Sequence, residues 1–95
     1  MCESSHTTEI TIAITNYSTR RMVLYLEPWG EEFWMAPQEQ IVIIGHGPCI
    51  GSGFGIEHID EGVVITAWTG SVVRVFSRGQ ELGNAAQRPP VPDFD

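Results

Sequence analysis

The chain contains no lysine. Its only permanent cations are five arginines, at positions 20, 21, 74, 78 and 88, set against 12 carboxylates for a formal net charge of −7. Binding to a nucleic-acid backbone needs a basic stripe that releases counterions, and no arginine run here exceeds two residues. The charge balance therefore argues against nucleic acid and an anionic membrane surface, and towards a protein partner or a small neutral or cationic ligand. Long apolar runs are also missing: nothing approaches the ~18–20 residues of a membrane span. The amino terminus, M-C-E-S-S-H-T-T-E, has neither the positive nor the apolar region of a signal peptide, so the expected compartment is the cytoplasm. Cysteine is scarce: Cys2 and Cys49 could form one structural disulfide, but Cys2 lies in the amino-terminal end and two free thiols are the expectation. No stretch of ten or more residues shows helical periodicity, and no internal repeat is visible.

Alternation of period two runs through most of the chain. In 95 residues, 42% hydrophobic and 18% charged, it implies one globular domain able to bury a core without staples. Ile10, Ile12 and Ile14 alternate with Thr11, Ala13 and Thr15, the pattern of a half-buried strand. After the polar turn at residues 16–19, Met22, Leu24 and Leu26 share one face while Val23 and Tyr25 share the other. That strand is expected to be more central. Glu27-Pro28-Trp29-Gly30 suits a type I turn, and a short strand at residues 33–35 follows it. The Ile-Val-Ile-Ile run of residues 41–44 reads as a strand buried on both faces.

Residues 45–53 are expected to form a mobile, glycine-rich loop. Beyond them, Asp60-Glu61-Gly62 marks a hairpin between residues 54–59 and 63–69. A last strand, residues 72–76, ends at Ser77-Arg78-Gly79-Gln80. About seven strands with turns at roughly 8–12-residue spacing predict a small antiparallel β-sandwich, with a small barrel or jelly roll as the alternative. The domain is expected to span residues 1–83. Residues 84–95 carry prolines that cannot donate to a ladder and are expected to be a disordered tail outside the core.

The chemistry concentrates at residues 26–34, where Glu27, Trp29, Glu31, Glu32, Phe33 and Trp34 surround a Pro-Trp-Gly turn. Aromatic faces stack on sugars or cations, and carboxylates add acceptors and negative potential. Glu27, Trp29, Glu31, Glu32 and Trp34 are therefore the expected ligand- or partner-binding set. The competing reading folds the aromatics inward to pin the hairpin, because alternation places Phe33 and Met35 on one face and Trp34 on the other. His46, Cys49 and His58 are the one set that could hold a metal, but their spacing matches no closed site and no second close ligand pair follows. No metal, cofactor or catalytic residue is assigned. A glycosidase needs two carboxylates roughly 5–9 Å apart, and nothing selects such a pair. Gly51-Ser52-Gly53-Phe54-Gly55 precedes no helix and so is not a phosphate loop.

The string Leu26-Glu27-Pro28-Trp29-Gly30-Glu31-Glu32-Phe33, with Pro37 and Glu39 after it, resembles a group of small bacterial proteins carrying an L-E-P-W-G-E-E motif. The resemblance covers about a fifth of the chain and implies a bacterial source and no activity. Those proteins have Pro-Gly-Glu after the third strand, where this chain has Pro37-Gln38-Glu39. The functional expectation is a non-enzymatic binding or interaction module, able to form a homodimer by sheet extension. The alternatives are a cupin-like metal-dependent enzyme and a structural subunit of a larger assembly.

Overall fold

Alternating apolar residues, punctuated by glycine, proline and asparagine, give strands rather than helices because one side chain in two can enter a core. The computed structural model describes residues 6–83 and 88–92. Within them the strands are β1 (Thr7–Thr15), β2 (Met22–Glu27), β3 (Glu31–Met35), β4 (Gln40–Pro48), β5 (Gly55–Ile59), β6 (Gly62–Thr66), β7 (Val72–Ser77) and β8 (Gln80–Leu82). They form two four-stranded sheets, β1-β4-β7-β8 and β3-β2-β6-β5, below called sheets one and two. The architecture is a small β-sandwich, as the strand spacing predicts.

The core lies between the sheets. Leu24, Leu26, Met35 and Ile65 of sheet two, with Ile41, Ile43 and Val75 of sheet one, have no exposed surface. Each such side chain contributes roughly 1.5–3 kcal/mol of transfer free energy. Val42 and Ile44 point outward and are only half-buried, so the run at residues 41–44 is not fully buried on both faces. On that outer face Arg74 places its guanidinium 5.0 Å from the Phe76 ring centroid and donates to Glu81 at 3.2 and 3.0 Å. The same bonds draw the Glu81 carboxyl below its ordinary range.

Four features differ from the sequence expectation. The ladder between β2 and β6 is parallel, running from Val23 opposite Gly62 to Glu27 opposite Thr66, because the chain visits the other sheet between them. Only glycine fits at position 62: a Cβ there would lie 1.8 Å from the Val23 carbonyl oxygen. Secondly, the expected loop at residues 45–53 is shortened, since β4 continues to Pro48. Gly45 and Gly47 serve packing: a Cβ on Gly45 would come within 2.6 Å of Phe54 and 2.8 Å of Trp68, and one on Gly47 within 2.6 Å of the Ser71 backbone. The two rings meet edge-on at 5.3 Å, and the Trp68 indole donates to the Pro48 carbonyl at 2.9 Å. Thirdly, Arg78 and Gly79 take φ of 53° and 77°, the double left-handed pair of a tight hairpin, which adds β8 to the seven expected strands. Lastly, the Glu27–Pro28 bond is cis, and Gly30, at φ 72°, donates to Leu26 O at 3.0 Å. That turn is not type I.

Part of the expected tail packs against the sandwich. Val91 is buried in the core, donates to Ser71 O at 3.1 Å and accepts from Gly70 N at 2.8 Å. Residues 88–92 thus belong to the domain, while residues 84–87 and 93–95 of the expected tail lie outside the described residues.

Two turns are tied together by Asn16, a fully buried polar residue. Its amide donates to Arg20 O at 2.8 Å and Met35 O at 3.1 Å, and its carbonyl oxygen accepts from Ser18 N at 2.9 Å. Its backbone exchanges bonds with Glu39 and Gln38. Gln38 itself sits at φ 70°, where a side chain costs about 1–2 kcal/mol that glycine escapes. The Gln38→Gly variant is therefore expected to gain about 1 kcal/mol in urea unfolding, after the extra chain entropy of glycine is subtracted.

Glu39 accepts from Ser77 Oγ at 2.7 Å and from Ala36 N at 2.9 Å. These bonds, the Ser77 one foremost, hold its carboxyl below 4.5. A folded pKa below the unfolded one gives stability that is present above the unfolded value and lost as pH falls through the folded one. Glu39→Gln should accordingly be less stable than the parent at pH 7, with the gap closing below pH 4.5 in a urea series read at several pH values.

Candidate functional site

The turn between β2 and β3 splits the expected binding set into an anchored half and an exposed half. Trp29 is half-buried against the core, and its indole donates to Pro89 O at 3.0 Å. Glu31 accepts two bonds from Arg88, through Nε and, at 2.9 Å, through Nη2. Arg88 is buried, with its remaining donors on Val73 O at 3.0 Å and Leu82 O at 3.3 Å, and it lies 5.9 Å from the Phe33 ring. A bidentate pair with both carbonyls satisfied is the arrangement in which a buried guanidinium is tolerable. Gly83 makes room for it, since a Cβ there would lie 2.3 Å from Nη2. Trp29 and Glu31 therefore hold residues 88–92 across the β3/β8 side of the sandwich.

Glu32 and Trp34 are the other half. Strand alternation turns both to the outer face of sheet two, where Trp34 keeps 48% of its surface exposed. Its indole N–H donates to Glu32 Oε1 at 3.2 Å, and the Arg21 guanidinium lies 4.7 Å above its ring. Glu32 stands opposite Tyr25, which stands opposite Val64, which stands opposite Glu57. Trp34 stands opposite Val23 and Glu27 opposite Thr66. The outer face thus presents Trp34, Tyr25 and Val64 as an apolar strip bordered by Glu27, Glu32 and Glu57. Sequence reading identified Glu27, Glu32 and Trp34 but missed Tyr25, Val64 and Glu57, because cross-strand neighbours are set by register and not by spacing along the chain.

A cleft of about 800 Å³ opens beside this face, between β1 and the β5–β6 turn. Ile14, Met22 and Val63 line it together with Arg20, Arg21, Asp60 and Glu61. Side chains of both signs thus border the cleft.

The metal reading finds no assembled site. Cys49 is disulfide-bonded, which corrects the expectation of free thiols; Cys2 lies outside the described residues. The Cys49 backbone N–H donates to the His6 carbonyl at 2.9 Å, so the start of the described chain runs beside Cys49. His46 is on sheet one and His58 on sheet two. Among the described residues no three of His, Cys, Asp and Glu come together as metal ligands, and no helix is long and apolar enough to cross a membrane.

In comparisons with known proteins the chain matches no family model, no curated protein and no solved structure.

Replacing Arg88 by Met removes the partner of Glu31 and the side-chain donor to the Val73 and Leu82 carbonyls. Breaking such a pair from one side costs about 3–5 kcal/mol. Arg88→Met should lose about that much in urea unfolding, whereas Glu57→Gln, on the exposed face, should stay within about 0.5 kcal/mol of the parent.

Proposed function

We propose that the protein is a non-catalytic binding module that presents the outer face of sheet two, centred on Trp34, to an arginine or lysine side chain of a protein partner. The carrying observation is Trp34 itself: a half-exposed indole that already stacks a guanidinium at 4.7 Å and hydrogen-bonds the Glu32 carboxylate. A surface that holds its own arginine has the chemistry to hold another. Exposed cation–π contacts contribute only about 0.5–1 kcal/mol each, so recognition on this face requires Glu27, Glu32 and Glu57 to act together on a partner bearing several cations. The formal charge of −7 supports the same polarity and steers a basic partner towards the chain.

The metal-dependent enzyme draws less support, since the disulfide occupies Cys49 and His46 and His58 stand on different sheets. A structural subunit would use the same face. A disulfide persists in an oxidising compartment, and we take such a compartment, in place of the cytoplasm expected from the sequence, as the setting in which the protein acts. The bacterial source implied by the L-E-P-W-G-E-E resemblance is kept as a proposal about origin.

Titration with a short arginine-rich peptide, followed by tryptophan fluorescence, tests the reading. Trp34→Ala should weaken binding about tenfold without changing the fold. Arg21→Ala should tighten it by about twofold, because the competing internal cation is gone. High salt should weaken every complex. Peptide affinity that is identical for the parent and Trp34→Ala would remove this face from consideration.

A further inference from the structure

The free edge of β1 carries an inference that is independent of the sheet-two face. The register of β1 against β4 runs without a bulge from Thr7 opposite Pro48 to Thr15 opposite Gln40. Two backbone bonds bracket it: Cys49 N donates to His6 O at 2.9 Å, and Asn16 N donates to Glu39 O at 2.9 Å. In a strand, the N–H and C=O of one residue point to one side and those of the next residue to the other. The even-numbered residues between His6 and Asn16 therefore turn their backbone groups towards β4. Thr7, Glu9, Thr11, Ala13 and Thr15 turn theirs outward, along an edge where, among the described residues, no strand lies.

Exposed edges are ordinarily blunted by lysine, proline, a bulge or a covering segment. β1 reads T-T-E-I-T-I-A-I-T, with one charge in nine residues and no proline. Its inward-facing Ile10, Ile12 and Ile14 are only half-buried. We propose that this edge pairs with the same edge of a second copy, antiparallel and centred on Thr11, so that two copies of sheet one become one continuous eight-stranded sheet.

The sequence of β1 is self-complementary in that register. Thr11 faces Thr11, Glu9 faces Ala13, Thr7 faces Thr15, and on the inner face Ile10 faces Ile12 and Thr8 faces Ile14. Centring on Thr11 engages all five outward residues in about ten ladder hydrogen bonds, while every shifted register leaves at least one of them unpaired. It also keeps the lone carboxylate away from its copy, and like charges directly opposite are destabilising. The partner's Ile10 and Ile12 extend the apolar inner layer past the half-buried edge of the core. The other long free edge, β5, lacks this property: self-pairing about its centre would oppose Glu57 to Glu57. Each copy carries a net charge of −7, so the dimer should strengthen as salt screens the repulsion.

Sedimentation velocity across a concentration series is the test. The parent chain should show a reversible monomer–dimer equilibrium. Thr11→Pro should be a folded monomer, because the lost N–H is one that β4 does not use and proline is accepted on a free edge. Ala13→Glu sets a carboxylate opposite Glu9 twice by symmetry, and Ala13→Lys sets an ammonium there. They should respectively weaken and tighten the dimer, each on the order of fivefold. Trp34→Ala should leave the dimer constant unchanged, which separates this inference from the binding proposal. A parent that stays monomeric throughout, or a dimer indifferent to both Ala13 variants, overturns it.

Discussion

The fold is asymmetric because of one buried ion pair. Arg88 joins the Glu31 carboxylate at the start of β3 to the Val73 and Leu82 carbonyls of β7 and β8, so it bridges the two sheets along one side of the sandwich. Once a guanidinium is buried there, every donor must be used and every neighbour must leave room, which is why Gly83 has no side chain and Trp29 closes over the same segment through Pro89 O. Among the described residues the opposite side has no such bridge. There the edges of β1 and β5 stand apart around a cleft of about 800 Å³, with half-buried isoleucines along β1. The closed side holds the turn in place, while the open side carries no such constraint among the described residues.

That division changes the meaning of the aromatic and acidic turn. Trp29 and Trp34 are five residues apart and chemically identical, yet one is a structural anchor and the other is half-exposed. The difference follows from pleat and topology. Trp29 sits in the turn, where residues 88–92 pass, whereas Trp34 is on the outward-pointing register of β3. The carboxylates divide in the same way, with Glu31 turned to Arg88 and Glu32 turned outward to Trp34.

Much of the architecture was legible in the chain. The Ile10/Ile12/Ile14 alternation gave β1, the Met22/Leu24/Leu26 pattern gave a central β2, and Asp60-Glu61-Gly62 gave the β5–β6 hairpin, because local alternation and turn chemistry are properties of neighbouring residues. The extension of β4 through Gly45 and Gly47 was hidden. Glycine signals a loop locally, but here it accommodates the Trp68 and Phe54 rings and the Ser71 backbone from distant parts of the chain. The incorporation of residues 88–92 was hidden for a similar reason: proline-rich sequence has no ladder pattern, and its anchors, Arg88 and Val91, declare themselves only through partners on other strands.

By itself, the sequence determined that this is an all-β domain with a strongly acidic surface, no basic stripe and one unusual aromatic turn, since composition, charge and period-two alternation need no knowledge of what lies across the fold. Tertiary structure decided which half of that turn is anchored, which residues border Trp34, and that the outward backbone groups of β1 fall on an unpaired edge. These are matters of register between strands far apart in the chain, and a shift of one residue would exchange core for surface at every position.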